Sequence, residues 1–409
     1  MSIYDEMGIR RVVNAAGHGT RLGGSIMEAE TIQAMNEASK SFIYMEELAE
    51  KANKIISEIT GAEAGIVTCG AAAAIAQASA GCITGADFTK IKSLPHTSGM
   101  KNEIIVQGLN VNDHVVHFIA SGSKLVEIGS RNSATLSDLE VAINEKTVAI
   151  GYFVVFDPVY FETYNPEVKI LSLQEVIEVA HSHDLPVIVD AAGELPPPEN
   201  LRKFVNMGAD LVIFSGGKAI RGPNDTGILC GRKDLVDAAA LNGFPQDYPI
   251  PSGLFGIGRC MKVSKEQIVG QTVALKRYVK RDHNADMRKW SERVRYIQNE
   301  ANNIPGVTAR TVYHEHSGIP KVELTISQSD TKLSAMDITK ILREGNPSIR
   351  TGGRRNLPRL FEKRDESGVL SREDFFKGES ANRIYLATFC LQDGEEKMIT
   401  DRLKKILGK

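Results

Sequence analysis

The hydrophobic positions of the chain change period repeatedly, and each change marks a strand or a helix. Glu46 to Thr60 carries Leu48, Ala52, Ile55, Ile56 and Ile59 at helical spacing and stops at Gly61, a natural C-cap. Short apolar runs then read as strands: Gly65 to Gly70, Glu103 to Gln107, Lys124 to Ile128 and Val148 to Phe153. Between them lie helices, one alanine-rich from Ala71, one from Leu139 and one over Ser172 to His181. Leu185 to Asp190 and Asp210 to Phe214 are two further buried strands. Repeated βα units predict an α/β fold, a mostly parallel sheet with helices on both faces.

Past Gly258 the pattern changes. Lys265 to Asn303 is helical with a break expected near Asp282, followed by a strand at Lys321 to Ile326 and a helix from Ser334 to Arg343. A strand at Arg383 to Ala387 and a helix from Glu395 close a smaller α+β domain. The expected organisation is an arm over residues 1–25, a large domain over 26–262, and a long linking helix with the small domain over 263–409.

The length of 409 residues accommodates both domains. A net charge of −2 with a pI near 6.5 supplies no global basic field for nucleic acid or an anionic membrane. The five cysteines (Cys69, Cys82, Cys230, Cys260 and Cys390) are scattered without CxxC spacing. That argues for a reducing cytoplasm and against a disulfide framework or a metal site. The first residues lack the basic and apolar regions of a signal peptide, and no uncharged apolar run approaches the roughly 18 residues of a membrane span.

The chemistry sits where two neighbouring strands end. Val187-Ile188-Val189-Asp190 stops at a carboxylate, and the next strand runs into Phe214-Ser215-Gly216-Gly217-Lys218, a glycine turn that presents a lysine. Open α/β sheets bind ligands at the carboxyl ends of their strands. An Asp and a Lys placed there meet the needs of pyridoxal phosphate (PLP). The lysine forms a Schiff base with the aldehyde, and the carboxylate keeps the pyridine nitrogen protonated. One Asp ending one strand is an ordinary cap, but the pair in a glycine-rich setting is not. Gly216 and Gly217 are expected to clear space for a flat cofactor close to the backbone.

Cys69-Gly70-Ala71-Ala72-Ala73-Ala74 joins a strand to a helix of small residues, whose free N–H groups at Gly70, Ala71 and Ala72 suit a phosphate. Tight packing of an internal helix would demand the same alanines. Ser215 is a candidate for the same phosphate, and Thr226 a further one. His114 is the candidate for stacking on the pyridine face, with His117 competing, and Gln107 and His96 are pocket candidates. Arg21, Arg259, Arg350 and the pair Arg354-Arg355 lie in glycine-rich or loop contexts, and are candidates to bind a substrate carboxylate or phosphate through planar bidentate contacts.

These residues resemble the selenocysteine synthase (seryl-tRNA selenium transferase)-like family of fold-type I PLP enzymes. The matching blocks are Val13-Asn14-Ala15-Ala16-Gly17 with Gly23-Gly24-Ser25, Cys69 to Ala73, Val189-Asp190-Ala191-Ala192, Phe214 to Lys218 with Gly222-Pro223-Asn224, and Gly258-Arg259-Met261-Lys262-Val263. By that resemblance Lys218 is the Schiff-base lysine, Asp190 the partner of the ring nitrogen, and Gly70 to Ala72 with Ser215 the phosphate site. The family's selenocysteine synthases carry an additional N-terminal tRNA-binding domain, whereas here the Asn-Ala-Gly block begins almost at once. The chain therefore looks like the small-molecule branch, which includes glucosaminate 6-phosphate ammonia-lyases. Such enzymes remove an α-proton and expel a β-hydroxyl, and the product loses ammonia to give a 2-keto acid. The resemblance also implies a homodimer or higher assembly, with Gly17 to Gly24 and Gly222 to Thr226 as candidates to cross between subunits. An aminotransferase, racemase or aldolase shares the same first steps. β-Replacement on seryl-tRNA is disfavoured by the missing domain and the acidic balance. A nucleotide-binding module on a doubly wound sheet is disfavoured because no GxGxxG fingerprint is present.

Overall fold

The computed structural model describes residues 2–111, 114–130, 132–156, 168–243, 256–314, 317–352 and 382–408. In chain order the strands are β1 (Val12–Ala15), β2 (Ala64–Thr68), β3 (Glu103–Gln107), β4 (Lys124–Ile128), β5 (Thr147–Phe153) and β6 (Val187–Asp190). They continue as β7 (Leu211–Ser215), β8 (Gly227–Gly231), β9 (Val307–Tyr313), β10 (Pro320–Ile326), β11 (Ser348–Thr351) and β12 (Arg383–Ala387). The helices that frame them are α1 (Ala29–Ala38), α2 (Met45–Thr60), α3 (Gly70–Thr84), α4 (Leu173–Ser182) and α5 (Lys233–Asn242). Beyond these come α6 (Lys265–Lys280), α7 (His283–Asn302), α8 (Ala335–Glu344) and α9 (Glu395–Leu407).

The chain forms two compact units, one of residues 25–281 and one of residues 1–24 with 282–409. The first holds a seven-stranded sheet in the order β2-β8-β7-β6-β5-β3-β4. β7, β6, β5, β3 and β4 pair in parallel. β8 runs antiparallel to both β2 and β7. The mostly parallel α/β sheet expected from the βα repeats is therefore present. Sequence reading missed β8, whose five residues between Gly227 and Gly231 are all buried.

Strands covered on both faces read as continuous apolar runs, and their side chains alternate between two cores. Ile105, Ile150, Val189, Val212 and Phe214 pack on one face with Ile56 of α2, Val176 of α4 and Leu275 of α6. Ile104, Val106, Ile188, Leu211 and Ile213 pack on the other with Ala74, Ile75 and Ala78 of α3. α2 ends at Gly61 in the left-handed region (φ +75°), where a side chain would be strained.

The units do not divide at 262/263, where a boundary was expected. α6 stays with the sheet because Ile268, Ala274, Leu275 and Tyr278 belong to its core. The helical run breaks at Arg281, which is extended, and Asp282 caps α7 by accepting the Ala285 N–H. The N-terminal segment is not a separate arm in this structure. Its β1 pairs in parallel with β11, and Val13 and Ala15 enter the core of the smaller unit with Val294, Ile297, Leu324 and Leu386. The smaller unit adds an antiparallel sheet in the order β12-β10-β9.

Candidate active site

The carboxyl ends of β2, β6 and β7 open at the same edge of the sheet, as their shared direction requires. Asp190 closes β6, and Ser215 closes β7 and leads into the turn that carries Lys218. Lys218 bends toward the loop that follows Asp190. A Cβ built on Gly193 would lie 3.7 Å from the Lys218 Nζ, so that glycine leaves the amine open on one side.

Asp190 accepts a hydrogen bond from the Ala192 N–H through Oδ1 at 2.9 Å. Burial pushes its carboxyl above the usual carboxylate range. The Ala192 N–H, the Lys218 ammonium and His114 pull it back, and Glu194 adds to the rise. A carboxyl in that state gains most from a cationic N–H partner. His114 lies close enough to act on Asp190 electrostatically, and its ring sits 5.6 Å from that of His117. Burial holds His117 below the ordinary histidine range, with His114 adding to the effect and Asp190 opposing it. The two histidines thus form one cluster beside Asp190.

Past β2, Gly70 adopts φ +89° and opens α3. The first turn of α3 carries no acidic side chain, and Cys69 makes no side-chain cap. Its first amides are the unsatisfied donors of a helix N-terminus. β8 starts against this turn at close range. A Cβ on Gly227 would fall 2.6 Å from the Gly70 carbonyl carbon and 2.7 Å from the Ala71 nitrogen.

The Lys218 turn is held from several directions. The Gly216 N–H donates to the Thr226 carbonyl (2.8 Å), and the Gly222 N–H to the Gly216 carbonyl (2.9 Å). Ser25 donates both its N–H (3.0 Å) and its hydroxyl (2.9 Å) to the Gly217 carbonyl. Arg221, three residues past Lys218, adopts φ +59° and ion-pairs with Glu28. None of Ser25, Glu28, Arg221 or Gln271 was singled out as a site residue from the sequence. Ser25 lies in a matching block with no role attached to it, and Glu28, the ion-pair partner of Arg221, and Gln271 reach the turn from distant positions, which leaves no motif in the sequence.

Several expectations change. Gly216 does not clear room for a cofactor: a Cβ there would run into Gln271 Oε1 and Thr226 Oγ1. A Cβ on Gly217 would meet the backbone of Asn224, so both glycines answer to protein packing. Thr226 is fully buried, and its hydroxyl shares its one proton between the Pro223 carbonyl and Gln271 Oε1, each at 2.7 Å. It shapes the turn and presents no face to a phosphate. Gln107 is likewise committed, bonded to both the N–H and the carbonyl of Leu171. His96 is exposed. Among the arginines, Arg259 lies exposed in the short helix Ile257–Met261 of the sheet unit. Arg21 and Arg350 belong to the smaller unit. Arg354 and Arg355 lie outside the described residues.

The model of the L-seryl-tRNA selenium transferase family matches residues 12–304. The chain belongs to that family. It is 34% identical to D-glucosaminate-6-phosphate ammonia lyase of Salmonella typhimurium over 355 residues, 85% of this chain and 88% of the relative. It is 33% identical over 353 residues to 5'-C-glycyluridine monooxygenase-decarboxylase of a Streptomyces species, covering 85% of this chain and 83% of that one. A solved structure of D-glucosaminate-6-phosphate ammonia-lyase superposes with a TM-score of 0.79 at 30% identity, covering 100% of this chain and 98% of that one. The selenocysteine synthase-like family, the fold-type I transferase fold and dependence on PLP are those expected from the sequence. The residues present fit that cofactor: a lysine amine beside a glycine backbone, a half-buried carboxyl at a strand end whose charged form gains from a cationic N–H, and a helix start without acidic side chains.

Proposed function

We propose that this protein is a PLP-dependent lyase that eliminates a β-hydroxyl and then ammonia from a small amino acid or amino sugar acid. The convergence of Lys218 and Asp190 at adjacent strand ends carries the reading. The likeness to an ammonia lyase over most of both chains supports it. Lys218 would hold the cofactor, and its Nζ is placed to take the α-proton of the substrate. Asp190 would keep the ring nitrogen protonated. The first amides of α3, from Gly70 to Ala72, would bind the phosphate with the Ser215 hydroxyl, and His114 would cover the ring. When bound, the cofactor supplies an electron sink for the carbanion. Arg259, in the sheet unit with Lys218, is the arginine proposed for the substrate anion.

The substrate to test first is D-glucosaminate 6-phosphate. Release of ammonia and a 2-keto acid without an added amino acceptor is the expected result. Turnover that depends on an added keto acid would make the protein an aminotransferase, and a product retaining its nitrogen would make it a racemase or aldolase. A second reading follows the monooxygenase-decarboxylase relative, which matches almost as well. Oxygen consumption with carbon dioxide release from a glycyl-bearing nucleoside would favour it.

The five cysteines are free thiols, which suits a cytoplasmic setting. Among the described residues no helix is long and apolar enough to cross a membrane. The partner we propose is a second copy of the chain, in a homodimer or a higher assembly. Phe42, Ile43 and Tyr44 form a contiguous exposed stretch, with Phe42 wholly accessible at 103%. Large apolar side chains left together in water point to an interface.

A further inference from the structure

We propose that Gln271 is a positioning residue that sets the turn presenting Lys218. This rests on the reading of Lys218 as the cofactor lysine. Gln271 lies on α6, the helix seated against the loop of residues 216–226. Its side chain is completely buried, and its Oε1 occupies the space that a Cβ on either Gly216 or Gly222 would need. The same carboxamide bonds the Thr226 hydroxyl at 2.7 Å, while the Thr226 carbonyl receives the Gly216 N–H. One side chain therefore touches three points of the loop: its entry at Gly216, its return at Gly222 and its exit at Thr226. The neighbouring Gly270 lets α6 come this close, since a Cβ there would press on Met35 and Pro223.

The identity of the residue adds weight. Gln271 Nε2 is buried with no hydrogen-bond partner among the described residues. A methionine would fill similar volume without burying that donor, so packing alone does not select glutamine. The Thr226 bond and the fit between two glycines do. They fix the height and direction from which Lys218 reaches toward Gly193.

The test compares wild type, Gln271→Met, Thr226→Val and the double variant. Each is incubated with pyridoxal phosphate, reduced with borohydride and mapped, and the melting temperature of each cofactor-free protein is measured. Gln271→Met should lower the apparent affinity for covalent capture at Lys218 by about tenfold, the scale of one buried hydrogen bond. The visible band of the bound cofactor should titrate at a different pH from that of wild type. The cofactor-free melting temperature should stay within a few degrees, and the double variant should be little worse than either single one. Capture and titration equal to wild type in Gln271→Met would overturn the proposal. So would losses that add fully in the double variant, because the two residues would then act independently. If wild type itself is labelled on another lysine, the reading of Lys218 fails and this proposal with it. Label on Lys218 with an unaffected Gln271→Met overturns this proposal alone.

Discussion

The Lys218 amine lies beside Gly193, three residues beyond Asp190, at 3.7 Å from the place a Cβ would take there, so the loops that follow the paired strands β6 and β7 come together at this lysine. The 3.7 Å to a hypothetical Cβ is ordinary van der Waals contact, and Gly193 does not have a left-handed φ. Gly193→Val should therefore fold. It should also crowd the amine and lower covalent capture of pyridoxal phosphate by about tenfold, the scale of adding carbon to a filled site. Capture at the wild-type rate, followed by absorbance, would mean that the amine turns away from this glycine when it reacts.

Asp190→Asn should separate stability from activity. The folded carboxyl titrates above its unfolded value, so the folded protein binds that proton more tightly. Its contribution to stability is full below the unfolded value and is lost as pH rises through the folded one. At neutral pH the charged form is a burden, which asparagine removes while keeping an oxygen for the Ala192 N–H. The cofactor-free variant should melt higher than wild type at neutral pH, with the gap closing in acid. Turnover should fall by several orders of magnitude because an amide does not keep the ring nitrogen protonated. A lower melting temperature at neutral pH would show that the ionised carboxylate stabilises the empty site.

Gly227→Ala tests the phosphate end. The added carbon would meet the backbone at Gly70 and Ala71 and force β8 and the start of α3 apart. Overpacking against backbone should cost roughly 2–3 kcal/mol of stability, read from denaturant unfolding. The loss of affinity should be larger for pyridoxal phosphate than for pyridoxal, since only the former uses the helix start. Equal losses for both ligands would place the phosphate elsewhere.

The chemistry-bearing strand ends were legible because β6 and β7 are short apolar runs that stop at polar residues, a pattern that survives without tertiary information. The glycine-capped C-terminus of α2 and the break near Asp282 were legible for the same local reason. β8 was not, since Gly227 to Gly231 is flanked by loop-forming residues and pairs antiparallel, a choice set by the sheet and not by the run itself. The roles of Gly216 and Gly217 were misjudged because a glycine shows only that space is needed, not what fills it. Here Gln271, from a helix some fifty positions away, fills it at Gly216. Thr226 shows the converse, a hydroxyl placed beside a phosphate candidate in sequence but committed to Pro223 and Gln271 in space.

The exposed stretch at Phe42 to Tyr44 offers a test of assembly. Phe42 is fully accessible and Tyr44 is 76% accessible, ahead of α2. Side chains of this size lose about 1.5–3 kcal/mol each when left in water in place of a buried setting. A second copy of the chain would cover them, and two-fold pairing would do so on both subunits at once. Wild type should sediment as a dimer or larger at assay concentration. The double substitution Phe42→Asp with Tyr44→Asp should move it toward monomer, with little change in helix content by circular dichroism. If the active site is completed by the partner, turnover should fall in step with the loss of dimer and recover at high protein concentration. An active wild-type monomer would refute the assembly, and a doubly substituted protein that stays dimeric would move the interface away from this stretch.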